Sequence, residues 1–293
     1  MALAGEQPWT LEPALEPPPE RVSTPVDPPP AAQARETPVI EPPVATPAPP
    51  AASPLASATD SPGTSPLPTQ RSGSLPAFRT QGLPPARPPA STRLVYDVSG
   101  QSKGLNYQAS GTLDWQHDGQ AYQAQMRVSA FMVGSRTQRS AGQLHATGLH
   151  PDRFTDISRR ERETRFDGDQ ARIGYTGLVQ QDPLQTGAQD RLSIILQLAS
   201  RFNAKAPTAG ERMSFQVAGV ASAEPWEFEV LGQEGISVPA GDFTAWHVRR
   251  VARQEGDARM SVWMAPNLDF LPVRLLLTQA NGDQLEQTLR RMP

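Results

Sequence analysis

The sequence contains no cysteine. This absence excludes disulfide bonds, thiolate metal ligands, cysteine nucleophiles and lipid attachment to an N-terminal cysteine. Long apolar runs are also missing, because no stretch approaches the roughly 18 consecutive apolar residues of a membrane-spanning helix. The start of the chain, MALAGEQPWTLEPALEPPPE, contains neither the basic region nor the apolar core of a signal peptide.

The chain lacks an excess of positive charge. Its net charge is −3, and residues 91–293 hold 22 basic and 22 acidic side chains. Binding to a nucleic-acid backbone relies on clustered lysine and arginine. The sequence therefore predicts no nucleic-acid partner.

Residues 1–90 contain few aromatic side chains and much proline. They hold 24 of the 32 prolines but only two of the 18 aromatic residues, Trp9 and Phe78. A segment of this kind buries too little apolar surface to offset the entropy lost on ordering. We predict a disordered, Pro-rich linker over residues 1–91 and one compact domain over residues 92–293, which is long enough for a sizeable core.

Alternating apolar and polar residues predict β-strands from residue 94 onward. In LNYQASGTLDWQHDGQAYQAQM, the dipeptide Asp118-Gly119 is a favoured centre for a two-residue hairpin turn. A turn centred there pairs Trp115 with Tyr122 and collects the apolar side chains on one face. A slip of one residue would move them all to the other face.

One segment, QDRLSIILQLASRF, has the spacing of a helix, with Asp190 as its cap and apolar side chains around most of its circumference. In SVWMAPNLDFLPVRLLLT, Pro266-Asn267 predicts a turn and Pro272 the first position of a strand. The leucines that follow lie on both strand faces, so a second layer must cover them. The predicted fold is mainly β: a strongly curved antiparallel sheet, a half-barrel or open barrel, with the 190–202 helix on its concave side.

Known catalytic motifs are absent, including those of serine hydrolases, zinc proteases and nucleotide-binding loops. The four histidines have no helical ligand spacing, so a metal site would depend on the fold bringing them together. His117 lies beside the predicted hairpin turn, His145 and His150 flank a loop, and His247 lies in a strand. We predict no catalytic, cofactor-binding or metal-binding residues, and no cofactor.

Two charged segments allow alternative interpretations. Glu227 and Glu229 share one strand face and could act as acid and base, but a solvated outer face opposite Trp226, Phe228 and Val230 is the favoured interpretation. The sequence RRERETR, from Arg159 to Arg165, could grip an anionic headgroup or peptide, or could be a solvated mixed-charge strand or loop.

Several segments resemble the bacterial envelope family called domain of unknown function 3108. They are RLVYDV, DRLSIILQL, AGERMSFQV, VPAGDFTAWHV and SVWMAPNLDFLPVRLLL, and the resemblance extends over about residues 92–290. It implies an exported protein, commonly placed behind a membrane anchor or signal and a Pro-rich spacer. We accordingly expect a periplasmic domain, anchored in the inner membrane through a segment missing from this chain; the alternative is a cytoplasmic protein.

Three hypotheses for function follow. The first is a non-catalytic envelope domain whose apolar groove binds a lipid, glycan or partner protein, by analogy with envelope lipid carriers. The second is a packed structural or interaction domain without a ligand. The third is an unrecognised enzyme, a hydrolase, that uses His145, His150 or the pair Glu227 and Glu229. The domain itself is not expected to span the membrane.

Overall fold

The computed structural model describes residues 83–102, 105–130, 134–254 and 256–292. Most of the predicted linker lies outside these residues. Within them the chain forms fifteen strands, one α-helix and one 3-10 turn. The helix α1 is Ser193–Ala204 and the turn is Pro266–Leu268. The strands are β1 Thr92–Ser102, β2 Leu105–His117, β3 Ala121–Ala130, β4 Gly134–His145, β5 Gly148–Ile157, β6 Glu161–Asp167, β7 Arg172–Tyr175, β8 Gln181–Pro183, β9 Gln189–Asp190, β10 Arg212–Ala218, β11 Ala223–Val238, β12 Gly241–Val251, β13 Arg259–Ala265, β14 Leu271–Thr278 and β15 Gln284–Arg291.

The strands form one open sheet that runs in the order β8-β7-β6-β5-β4-β3-β2-β1-β15-β14-β13-β12-β11-β10-β9. Neighbouring strands are antiparallel except β9 and β10, which are parallel. Short connections join successive strands from β1 to β8 and from β10 to β15, so most of the sheet is a meander, while α1 lies between β9 and β10. The predicted fold class, a curved antiparallel sheet with one helix, is confirmed.

Side-chain hydrogen bonds bridge the two edge regions of the sheet. Thr164 of β6 donates from Oγ1 to the carbonyl of Gly219 at 2.6 Å. The Asp182 carboxylate on β8 accepts the backbone N–H of Ala223 at 2.8 Å, and Gln216 Nε2 donates to the Pro183 carbonyl. The sheet therefore curls until its ends meet through side chains, without a continuous backbone ladder.

The β2–β3 hairpin has its apolar residues on the predicted face but in a different register. Trp115 pairs with Ala124, and His117 pairs with Tyr122, so the predicted pairing of Trp115 with Tyr122 is wrong by two residues. The Asp118 carboxylate accepts the backbone N–H groups of the two residues before Tyr122, both at 2.8 Å, which moves the turn centre one residue along the chain. Since the shift is two residues, every side chain keeps its face.

Helix α1 begins later than predicted but is covered as expected. Asp190 lies in β9, and its carboxylate accepts the backbone N–H groups of Leu192 and Ser193 at 2.8 Å, so it caps the first turn from outside the helix. All residues of α1 from Ser193 to Ser200 are buried. A helix that is apolar around most of its surface is stable only in such surroundings.

A glutamine fixes α1 against the β4–β5 hairpin. Gln197 accepts the backbone N–H of Leu149 at 2.8 Å and donates to the Thr147 carbonyl at 2.9 Å. Gly148, with a φ of +106°, lies so close that an added Cβ would be 2.1 Å from the Gln197 amide oxygen. Only glycine satisfies both the backbone conformation and this approach.

The leucines after Pro272 lie on both faces of strand β14, as predicted. Pro272 is the second residue of β14, not the first as predicted, at an irregularity in the pairing with β13. Its carbonyl accepts the buried Tyr96 hydroxyl at 2.9 Å. Leu275 and Leu277 are buried in the core, whereas Leu276 lies half-buried on the outer face.

Residues 83–91 form neither helix nor strand and are hydrogen-bonded to one end of the sheet. The carbonyl of Pro89 accepts the Trp115 indole N–H at 2.9 Å and lies 3.0 Å from His117 Nε2. The backbone N–H of Ala86 donates to the Ala146 carbonyl, and that of Arg87 donates to Ser200 of α1. The end of the Pro-rich segment is thus attached where the β4–β5 turn and α1 meet.

Candidate functional site

A row of buried polar side chains on β4 faces the interior of the sheet. Arg136, Gln138 and Ser140 alternate along the strand and are all less than a tenth exposed. Their cross-strand neighbours on β3 are the apolar Val128, Met126 and Ala124. Buried polar groups in such a place require partners, and these partners connect β4 to two aspartates.

At one end of the row, Ser140 is hydrogen-bonded to Tyr122 of β3 and to Asp190 of β9. Ser140 donates from Oγ to Asp190 Oδ2 at 2.5 Å, and its Oγ is 2.9 Å from the Tyr122 hydroxyl. Asp190 is fully buried, and this burial raises its pKa to about 6. Burial also raises the pKa of the Tyr122 hydroxyl well above its usual value. The network joins β3 and β4 to the start of α1.

Asp190 should make the stability of the fold depend on pH. Its pKa is about 6 when folded against 3.8 in its ordinary state, so the folded chain binds this proton more tightly. The stability that this group contributes is therefore fully present below pH 4 and is lost as the pH rises from about 4 to about 6, by on the order of 3 kcal/mol. In Asp190→Asn, whose amide oxygen still accepts both helix N–H groups, we expect this decline to disappear.

Urea unfolding of the native chain and the variant at pH 4, 5, 6 and 7 measures the effect. Asp97→Asn serves as the matched control, because its carboxylate is about two-fifths exposed. The control should follow the native profile, while the Asp190→Asn profile diverges from it. Parallel profiles for native chain and Asp190→Asn would show that Asp190 titrates normally.

At the other end of the row, Arg136 forms an ion pair with Asp156 of β5. Arg136 donates to Asp156 through Nε at 2.8 Å and through Nη2, and Gln138 Nε2 donates to the same carboxylate at 2.9 Å. The Arg136 and Asp156 side chains are 9% and 5% exposed. This fork geometry is the strongest form of arginine–carboxylate contact.

The sequence did not reveal this row. The β4 sequence GSRTQRSAGQ has no apolar residue at alternating positions, so it was not predicted as a strand at all. The available signal is indirect. The apolar face of β3 needs a neighbouring strand, and Arg136, Gln138 and Ser140 are spaced two residues apart, as side chains on one face of a strand are. Asp190 was predicted, but only as a helix cap.

The structure brings two of the four histidines together. His145 and His150 lie at the β4–β5 turn with ring centroids 4.3 Å apart, and Thr147 Oγ1 is 3.1 Å from His150 Nε2. Burial, followed by the neighbouring His145, lowers the pKa of His150. His117 instead contacts Trp115 and the Pro-rich segment at the same end of the sheet.

The fourth histidine belongs to a stack on the outer face. His247 lies 4.4 Å from Trp263, ring to ring, and the Arg274 guanidinium covers the other side of the indole at 4.5 Å. Trp263 donates its indole N–H to Glu234, which is also 3.4 Å from His247 Nδ1. Burial lowers the pKa of His247, so the neutral ring packs on the tryptophan near pH 7.

Glu227 and Glu229 are both engaged in ion pairs with arginines. Glu227 is 3.0 Å from Arg212, and Glu229 is bound by Arg212 and by Arg249 at 2.7 Å. The hydrogen bond from Arg249 is the main reason that the pKa of Glu229 lies below its usual value. Both carboxylates are thus partners of arginines on the outer face.

A shallow groove of about 470 Å³ lies on the outer face of β2 to β5. Its lining is polar, and it includes Asp114, Gln125, Arg139 and Arg153. Arg139 donates to the Gln125 amide at 2.7 Å, so part of this polar surface is already paired. Such a lining is that of a solvated sheet face.

Metal-ligand clusters and membrane-spanning helices are both missing from the described residues. Among residues 83–292, apart from the short gaps named above, no three histidine or carboxylate side chains are placed to share a metal ion. In the same part of the chain, no helix is long and apolar enough to cross a bilayer.

Comparison with known proteins identifies relatives of the fold. A family model described as "Protein of unknown function (DUF3108)" matches residues 95–290. A solved beta-barrel-like protein of domain of unknown function DUF1849 from Brucella abortus is 11% identical with a TM-score of 0.50, covering 71% of this chain and 98% of that one. Comparison with curated proteins finds no match.

Two other solved structures are more distant. A protein described as exported, with a YmcC-like fold, from Bacteroides fragilis is 10% identical with a TM-score of 0.28 and covers 72% and 99% of the two chains. A protein described as a lipoprotein from Parabacteroides distasonis is 12% identical with a TM-score of 0.27 and covers 72% and 97%. The Brucella protein supports the fold alone.

Proposed function

Because the chain belongs to the DUF3108 family of proteins of unknown function, we propose that it is a non-catalytic interaction domain of the cell envelope, acting through its surface. The Pro-rich composition of residues 1–91 supports a spacer that holds such a domain away from its point of attachment. The export implied by resemblance to the envelope family supports a membrane as that point of attachment.

The filled interior of the curved sheet carries this proposal. Helix α1 occupies the concave side, with Ile194, Leu196 and Leu198 at most 1% exposed. Large side chains such as Trp115 and Phe228 fill the space around it from the strands. A carrier of lipid needs apolar volume that its own side chains leave empty, whereas a packed domain offers partners its exterior.

The state of the buried polar groups supports the non-catalytic part. Ser140 donates a hydrogen bond to Asp190, and both residues are enclosed, so no substrate reaches the serine hydroxyl without an opening of the fold. Asp156 is bound by Arg136 and Gln138. Groups that could act as acid, base or nucleophile thus serve to join α1 and the strands.

Native mass spectrometry of the full chain, exported to the periplasm and purified gently, tests the proposal. We expect the mass of the polypeptide alone, and no fluorescence gain from an apolar dye such as N-phenyl-1-naphthylamine. Additional mass that organic extraction removes would contradict the proposal and favour a lipid carrier. Turnover of ester or glycoside substrates that disappears in Ser140→Ala would instead favour the enzyme.

A further inference from the structure

Two hairpin turns lie side by side at one end of the sheet. Strands β5 and β6 are joined by the turn at residues 158–160, and β7 and β8 by the turn at residues 176–180. Since β6 and β7 are antiparallel neighbours, both turns lie at the same end of these strands. The hydrogen bond from the Thr176 N–H to the Glu163 carbonyl, at 2.9 Å, ties the second turn to β6.

The β7–β8 turn presents apolar side chains to solvent. Val179 is 100% exposed and Leu178 is 47% exposed. The turn has a defined conformation, because the Leu178 N–H donates to the Tyr175 carbonyl at 3.1 Å and Gly177 has a φ of +77°. These two side chains therefore project from a constrained turn without contributing to the core.

The neighbouring turn presents positive charge. Arg159, Arg160 and Arg162 are all exposed, and Glu161 is the one acidic residue between positions 158 and 162. The segment therefore carries a net charge of +2 within five residues, in a domain whose overall charge is balanced.

We propose that these residues, Arg159, Arg160, Arg162, Leu178 and Val179, form a basic–apolar rim that docks on an anionic phospholipid surface. Apolar side chains at a turn tip can enter the boundary between headgroups and acyl chains while adjacent arginines bind the phosphates. This inference deepens the proposed function and rests on it, because it names the partner met by the exterior of the domain.

The position of the rim favours a membrane surface as the occupant. Residues 83–91 are attached at the opposite end of the sheet, where β4 reaches Ala146 and β2 reaches His117. The described part of the Pro-rich segment therefore does not obstruct the rim. A protein partner would offer shaped pockets, whereas two apolar residues beside exposed arginines match a surface that is fluid and uniformly negative.

A single fluorescent label tests insertion of the turn. Because the chain has no cysteine, Val179→Cys can be labelled uniquely with the environment-sensitive dye NBD. We expect a blue shift and at least a twofold rise in emission when vesicles of 70% phosphatidylcholine and 30% phosphatidylglycerol are added, and no change with phosphatidylcholine alone. Leu231→Cys, at an exposed site on β11, is the matched control and should not respond.

Vesicle co-sedimentation of the full chain tests the arginines. Replacing Arg159, Arg160 and Arg162 by Gln should weaken binding to the anionic vesicles by about fivefold per residue. Replacing Arg93, Arg139 and Arg153 on the outer face removes the same charge elsewhere and should weaken binding much less. Raising the salt concentration to 0.5 M should release the native chain.

The proposal is overturned if the native chain does not sediment with the anionic vesicles, if both triple variants lose binding equally, or if labels at 179 and 231 respond alike. These outcomes leave the proposed function standing, because it concerns the packed interior and is tested by native mass. A lipid found inside the domain would instead end the proposed function, whether or not the rim binds vesicles.

Discussion

Replacing Arg136 by Met is expected to lower the free energy of unfolding by about 3–5 kcal/mol, the cost of leaving one buried charge without its partner. Asp156 would keep only the hydrogen bond from Gln138 at 2.9 Å, in a place where its side chain is 5% exposed. Chemical denaturation followed by tryptophan fluorescence measures the change. The methionine has a similar length, so loss of packing contributes little.

Two comparisons separate the buried charge from a general effect of losing an arginine. Arg153→Met, on the outer face of β5 with a side chain 60% exposed, should cost less than about 0.5 kcal/mol. The double variant Arg136→Met with Asp156→Leu should recover much of the loss, because it removes the isolated carboxylate. Equal effects of Arg136→Met and Arg153→Met would show that the pair is solvated.

Leu198→Ala is the second substitution with a large expected effect. Leu198 lies in the middle of α1 and is 0% exposed, so truncation leaves a cavity between the helix and the sheet. We expect the free energy of unfolding to fall by about 3–4 kcal/mol, measured in the same denaturation experiment. The protein should also gain affinity for small apolar probes such as N-phenyl-1-naphthylamine, which we expect the native interior to exclude.

Leu231→Ala is the matched control, since this leucine is 39% exposed on β11. It should change stability by less than about 0.5 kcal/mol and should not create dye binding. A loss in Leu198→Ala no larger than in this control would mean that α1 contributes little to the fold. That result would also weaken the view that the helix is part of the core.

The strands and the helix could be predicted where side chains alternate in polarity or recur with helical spacing. The face of the β2–β3 hairpin followed from its apolar period, but its register did not. The backbone preference of Asp118-Gly119 was read correctly as a turn, while the competing bonds to the Asp118 carboxylate decided its centre. Register thus depended on one side chain that a dipeptide rule ignores.

The buried polar row could not be predicted, because its stability depends on residues far apart in the sequence. Arg136 is acceptable inside the sheet only when Asp156 faces it, and Ser140 only when Asp190 arrives with the helix, 50 residues later. Alternation alone assigns polar side chains to solvent. Only the basic half of the exposed basic–apolar rim could be recognised in the sequence, as the segment RRERETR. Its proximity to Val179 follows from the pairing of β6 and β7, which the sequence did not show.

The central claim is that α1 is an integral part of a packed interior, and hydrogen–deuterium exchange tests it most directly. We predict that the amides of residues 197–204 exchange only through global unfolding, as slowly as those of the paired strands β1 and β2. The turn at residues 176–180 should exchange within seconds to minutes. Fast exchange throughout α1 while β1 and β2 stay protected would contradict the account, because the helix would then be a cover that opens an apolar interior.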